Sequence, residues 1–327
     1  MRALLVVVLV LGGLYGGYWF IGARAAEQGA ERVFTELAAR GYVAEREALS
    51  VVGFPSRFDV TVTAPRLSDP VRGIGWQAPF VQVFSLSYKP WHLIAALPNE
   101  QKLTLPGQEI TIGSTRMQGS VEVSPTPSLP LKRLDGVAEG VSLRSTAGWA
   151  LAAASANIAV HAQEANVQQV ALRLLDLLPD QRLTALLSAQ TALPERISRM
   201  DVLADVTLAG PVALSGSVLP GMEAIALREA HLIWGPMTLR ASGTLRPDDL
   251  GQAEGKIDLR IEGWREGFLA AQALGLIPQQ FAVAAENVLA GLAAQSGDAA
   301  VLELPLLMQN GRMMLGPVPL GAAPLLR

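Results

Sequence analysis

"KIDLRIE", residues 256–262, alternates without a fault: Ile257, Leu259 and Ile261 fall on one side, Lys256, Asp258, Arg260 and Glu262 on the other. A period of two is that of an extended strand. A strand with one apolar and one charged face is a half-buried member of an antiparallel sheet. The period recurs upstream. "RFDVTVT" (57–63) sets Phe58, Val60 and Val62 against Arg57, Asp59 and Thr61, and "FVQVFSLSY" (80–88), "QEITIG" (108–113) and "GSVEV" (119–123) read as further strands. Downstream, "LELPLLMQNGRMMLGPV" (302–318) reads as a hairpin, because Asn310-Gly311 supplies the two positive φ angles of a type I′ turn. Its expected core positions are Leu302, Leu304, Leu306, Met314 and Val318.

Helical periods are fewer. Two segments, 264–274 closing at Gly275 and 279–295 closing near Gly297, follow the alternating strand, and Asp180 is placed to cap a short helix through Gln190. From Val141 to Leu178 the short apolar runs fit either strand or helix. "SPTPSLP" (124–130) carries three prolines in seven residues and marks the internal boundary. The pattern predicts an α+β protein with a mostly antiparallel, curved sheet and a few packing helices. The expected divisions are an anchor over 1–24, a juxtamembrane helix over 25–41, a β-rich lobe over 42–123 and an α+β lobe over 131–327.

The anchor is read from "LGGLYGGYWFIGARA" (11–25) and what precedes it. Ala3 to Ile21 holds no charge, with Arg2 before it and Arg24 after. As a helix these residues span about 28 Å, close to the ~30 Å hydrocarbon core of a bilayer. Ala23-Arg24-Ala25 matches a signal-cleavage pattern. It lies far from the Leu4–Leu11 core, however, and Tyr18, Trp19 and Phe20 stand where small residues are wanted. Aromatic rings suit the membrane–water interface, so the stretch is expected to stay as a single-pass anchor. Arginines flank both ends, and the short N-terminal flank implies that the long following segment is the part sent across. Gly12 and Gly16, and Gly13 and Gly17, form overlapping G-x-x-x-G pairs, a flat strip on which a homodimer could close. Beyond the anchor, Ala26, Ala30, Val33, Phe34, Leu37 and Ala38 keep helical spacing, and Gly41 stops the helix.

Composition narrows the function class. Charged residues make up 17% and apolar residues 50%, against a typical charged share of ~25%. A net charge of −3, with scattered arginines, gives no electrostatic basis for binding nucleic acid. Three histidines, His92, His161 and His231, lie far apart, and with no cysteine a zinc or iron–sulfur site has almost no material. "GQAEGK" (251–256) is one residue short of a phosphate loop, and Ile257 stands where its metal-binding hydroxyl belongs. Asp248, Asp249 and Glu254 lack calcium-loop spacing and read as a polar hairpin turn. No G-x-S-x-G elbow occurs. The expectation is therefore no catalytic, cofactor-binding or metal-binding residue and no enzyme.

Four strings carry a resemblance: "VVGFPSRFDVTV" (51–62), "GWQAPFVQVFSLSYKPWHLIAALP" (75–98), "LIWGPMTLRASGTLRPDDLGQAEGKIDLRIEGW" (232–264) and "NGRMMLGPVPLGAAPLL" (310–326). With Gly53, Pro55, Trp76, Pro79, Tyr88, Pro90, Trp234, Gly235, Gly243, Gly251, Gly255, Trp264 and Gly316 they resemble domain-of-unknown-function family 2125 of Gram-negative bacteria. The resemblance implies a periplasmic domain on an inner-membrane anchor, and it transfers no activity. "GTLRPDDLGQAEGKIDLRI" (243–261) is also similar to AsmA-like envelope proteins, whose sheets curl around an apolar groove and are linked to lipid traffic. Two functions follow as expectations: binding or carriage of lipid or another apolar ligand, or an envelope assembly role through protein contacts. The nameable helices could cover only part of such a sheet. Either the stretch 141–190 completes the cover, or an apolar groove stays open.

Overall fold

The computed structural model describes residues 1–164, 166–213, 220–277, 279–295, 297–316 and 318–326. The chain opens with α1 (Arg2–Ala39), one uninterrupted helix of 38 residues, so the expected anchor and juxtamembrane helix are a single element. It ends where the sequence places the stop. Gly41 adopts φ +88°, its N–H donates to the Ala38 carbonyl at 3.0 Å, and the Tyr42 N–H donates to Leu37 at 3.1 Å. Those two bonds satisfy carbonyls that a helix end would otherwise leave open.

Two compact units follow from the contacts: residues 1–125 with 136–148, and residues 126–135 with 149–327. The first crossing falls between Pro125 and Thr126, in the proline-rich segment. The return of 136–148 to the first unit has no counterpart in the sequence reading. It arises because Ser142–Ser145 pair with Ile110–Gly113, a long-range choice that no local period encodes.

In the first unit the strands are β1 (Val43–Glu45), β2 (Ala48–Val52), β3 (Arg57–Thr63), β4 (Arg66–Asp69), β5 (Ile74–Gln77), β6 (Phe80–Leu86), β7 (Lys89–Leu97), β8 (Glu100–Leu105), β9 (Gln108–Gly113) and β10 (Arg116–Val123). The end of β11 (Leu131–Ser145) joins them. One antiparallel run pairs β2 with β3, β3 with β6, β6 with β7 and β7 with β10. Another pairs β1, β4, β5, β8, β9 and β11 in that order. In β3 the predicted apolar side is present, with Phe58 and Val62 buried, but Asp59 is buried too. Arg57, two residues away on the same face, donates to its Oδ2 at 2.9 Å and neutralises it.

The second unit is a meander. Its strands are β12 (Ala150–Ala162), β13 (Val167–Leu177), β14 (Ile197–Leu208), β15 (Met222–Trp234), β16 (Met237–Pro247), β17 (Ala253–Glu262), β18 (Val301–Gln309), β19 (Arg312–Leu315) and β20 (Val318–Ala322). Each pairs antiparallel with the next. The stretch 141–178, open to either reading, is thus strand over most of its described length, since its runs gain ladder partners: β9 for the end of β11, β13 for β12, and both β12 and β14 for β13. Bulges at Leu203/Ala204 and Leu227/Ala230 bend the central strands.

Three helices interrupt the meander: α2 (Gln181–Ser188), α3 (Trp264–Ala273) and α4 (Gln279–Gln295). Asp180 caps α2 by accepting from the Arg182 N–H at 2.9 Å, and this helix is shorter than expected by two residues. Gly275 at φ +71° closes α3 with the same pair of bonds that closes α1, from Gly275 to Gln272 and from Leu276 to Ala271. The closing hairpin turns at Asn310 (φ +52°) and Gly311 (φ +71°) as its sequence requires. Leu302 and Leu304 are fully buried, whereas Leu306, Met314 and Val318 are half-buried; Pro317 lies outside the described residues.

Candidate functional site

Residues directly opposite one another in an antiparallel ladder share a face. Followed across seven strands of the second unit, one such line reads Ile158, Leu172, Val202, Ala230, Ala241, Leu259, Leu304. Two residues to one side it reads Ala156, Leu174, Met200, Leu232, Leu239, Ile261, Leu302; two to the other, Val160, Val170, Ala204, Leu227, Gly243, Ile257, Leu306. Three adjoining lines on one side of the sheet are apolar across all seven strands, and "KIDLRIE" is one column of them.

The opposite side carries Asn157, Arg173, Asp201, His231, Arg240, Arg260 and Glu303 in a single line. Arg173 Nε donates to Asp201 at 2.6 Å, Arg199 holds the same carboxylate from along β14, and Arg260 bridges Glu303 and Glu262. Burial works to raise the Asp201 pKa, but the hydrogen bonds from Arg173 and Arg199 outweigh it, so the carboxyl titrates below its ordinary value. Asp135 is held low in the same way, by Arg133 first and against the cost of burial, and accepts from His161 Nε2 at 2.9 Å.

Cover on the apolar side is unequal. Trp264 and Phe268 of α3, with Leu289 and Ala293 of α4, pack on Leu302 and Leu304 of β18. Leu187 of α2 and Ala270 of α3 pack with Leu193 and Met237, against Leu232, Trp234 and Ile261. The chain end supplies Ala323 and Leu326 to Ala253, Met308, Ile257 and Leu306. These contacts fall on residues of β15 to β18, although Leu227, Leu239 and Leu259 of the same face are half-buried and lie outside the clusters. On β12 to β14, Leu172, Val202, Val160 and Val170 are half-buried, belong to none of those clusters, and end at Ile158, which is 44% exposed. Beside Val170 on this side, Gln168 is only 3% exposed, and its Oε1 has no hydrogen-bond partner among the described residues. Leaving a buried amide oxygen unpaired costs about 1–3 kcal/mol. Gln168 carried no signal in the sequence, because its position within the apolar face depends on register.

The residues weighed for chemistry are scattered. His92 lies on β7 opposite Glu122, His161 meets Asp135, and His231, on the charged side, keeps a buried Nε2 with no hydrogen-bond partner among the described residues. Asp248 is occupied by its own turn, its Oδ1 accepting from the Leu250 and Gln252 N–H groups at 2.9 and 2.8 Å. Among the described residues no three acidic or histidine side chains converge as metal ligands.

A second feature lies in the first unit, where α1 docks on two neighbouring hairpin tips. Trp19, 7% exposed, packs on Phe58 with Ala23, and its Nε1 donates to the Arg57 carbonyl at 2.7 Å. The Tyr18 hydroxyl donates to the Ser87 carbonyl at 2.5 Å, and the Tyr15 hydroxyl meets Ser87 Oγ at 3.1 Å. Phe54 sits against Trp19 and Phe20, ring centroids 5.3 and 6.1 Å apart. The aromatic edge of the apolar stretch is therefore also a docking surface. Gly22 makes room for it, since a β-carbon there would lie 2.4 Å from the Phe58 ring. Of the glycine pairs, Gly16 faces Phe54, while Gly12, Gly13 and Gly17 have open space beside them.

The sequence profile of a bacterial family, described as "uncharacterized protein conserved in bacteria (DUF2125)", matches residues 19–324. The chain belongs to that family. No curated protein and no solved structure matches it.

Proposed function

We propose that this family member is a single-pass, membrane-anchored protein of the cell envelope, its sheet units on the periplasmic side. It holds an acyl chain or similar apolar ligand on the uncovered part of the second unit's sheet and catalyses no reaction. The observation that carries the reading is the distribution of packing: three apolar lines run across seven strands, the helices and chain end pack on residues of β15 to β18, and the half-buried side chains of β12 to β14 lie outside those clusters. The stretch 141–190, the alternative source of cover, forms β12, β13 and the end of β11, with α2 its one named helix. Hydrocarbon laid there gains roughly 0.8 kcal/mol per methylene removed from water. Gln168 Oε1 offers an acceptor to a hydroxyl or amide N–H near the ligand's polar end. The anchor rests on α1, whose N-terminal part is apolar, uncharged and long enough to cross a bilayer.

The test uses the full chain, because removing residues before Ala26 would delete the Trp19 and Ala23 packing. Reconstituted protein is irradiated with a photoreactive fatty acid and the adducts are mapped by peptide mass spectrometry. Adducts on β12 to β14, lost in Leu172→Gln, are expected. Adducts confined to α1 and its surroundings would refute the ligand reading and leave the assembly role.

A further inference from the structure

We infer that the two hairpin tips beside α1, Val52–Phe54 and Ser87–Tyr88, are seated in the interfacial layer of the bilayer that α1 crosses. The inference rests on the anchor reading and goes beyond it. Length decides it. The tips bond to Tyr15, Tyr18 and Trp19, not to residues beyond the apolar stretch. Tyr15 lies six residues before Ile21, which is about 9 Å below the outer end of that stretch. Were the tips held in water, only Ala3 to Leu14 would remain to cross, roughly 18 Å of helix against a hydrocarbon core of ~30 Å. A bilayer can thin locally, but a deficit near 12 Å exceeds what fractions of a kcal/mol per ångström readily absorb.

The chemistry of the tips fits that depth. Phe54 and Tyr88, 58% and 68% exposed, are large side chains at turns where polar ones are usual, and Val52, 58% exposed, ends β2 beside them. Ser87, between them, is fully buried, and its polar groups are all engaged: the carbonyl by Tyr18, the hydroxyl by Tyr15, and the N–H by Ser56 at 2.9 Å. The Arg57 carbonyl takes the Trp19 indole, and the Arg57 N–H donates to Gly53 at 3.0 Å. Non-helical backbone enters a membrane only when its hydrogen bonds are satisfied internally. Here the tyrosines and tryptophan of the helix engage the Ser87 and Arg57 carbonyls and the Ser87 hydroxyl, and the tips' own backbone engages the Ser87 and Arg57 N–H groups.

The chain lacks cysteine, so single-cysteine variants of the full chain can carry an environment-sensitive fluorophore without background. Val8→Cys reports the helix, Val52→Cys and Tyr88→Cys the tips, and Ala48→Cys lies on the same exposed side of β2, four residues from Val52. In vesicles of phosphatidylethanolamine and phosphatidylglycerol, deep lipid-borne quenchers should act at position 8. Shallow ones should act at positions 52 and 88 several-fold more strongly than at position 48. If position 8 is quenched while positions 52 and 88 match position 48, the tip inference is overturned and the anchor stands. If position 8 is not quenched by lipid, both fall.

Discussion

Single residues show how narrowly the sheet is specified. Gly243 stands in the apolar line between Leu227 and Ile257, and a β-carbon there would lie 2.2 Å from the Lys256 carbonyl oxygen. The backbone cannot yield that space, so Gly243→Ala should destabilise the second unit by about 1–3 kcal/mol, the usual cost of overpacking. The same change at Gly291, in α4 with open space around it, should be neutral or stabilise by roughly 0.5–1 kcal/mol, because alanine is the better helix former. Thermal melting of the two variants checks the opposite signs. Asp201 provides the titration counterpart. Its folded pKa lies below the unfolded one, so its contribution is present above the ordinary aspartate range and is lost as pH falls through the lower folded value. Asp201→Asn should lower stability by roughly 1–2 kcal/mol at neutral pH. The difference between the two proteins should shrink as pH falls below about 4. A gap that persisted unchanged in acid would assign the effect to packing.

At the scale of elements, β18 joins the sheet to its helices. It pairs with β17 through eight residues and places Leu302 and Leu304 under Trp264, Phe268 and Leu289. Each such buried side chain contributes about 1.5–3 kcal/mol, against a typical net stability of ~5–15 kcal/mol. Truncation after Ala299 removes β18, β19 and β20 together and should abolish cooperative unfolding of the second unit, read by circular dichroism and protease resistance. A cooperative transition surviving in that variant would show that α3 and α4 do not need β18 beneath them.

For the whole molecule, both proposals ask where lipid meets protein, and they separate in experiment. Quenchers borne by bilayer lipids report the tips of the first unit, and photoreactive fatty acid reports β12 to β14 of the second. The two results are independent, since the tip depth follows from where α1 is gripped and the ligand reading from how unevenly one sheet side is covered. Family membership spans both units, residues 19–324, and includes the docking residues Trp19, Phe54, Phe58 and Ser87.

Period, turn chemistry and length were legible in the sequence alone. They place the strand at 256–262, the turn at Asn310-Gly311, the helix stops at Gly41 and Gly275, the Asp180 cap and the apolar N-terminal stretch, because each depends on residues within one or two turns of chain. The turn at Tyr88 was not legible: 80–88 reads as one strand, whereas β6 ends at Leu86. The tertiary structure decided what pairing decides: that 150–162 and 167–177 are strands, that 136–148 returns to the first unit, and that Asp59 is buried beside Arg57. It also decided the site. Ile158, Leu172 and Val202 form one line only through register, and Gln168 beside them is buried without a partner for the same reason. A ladder one residue out of step would carry every one of these side chains to the other face.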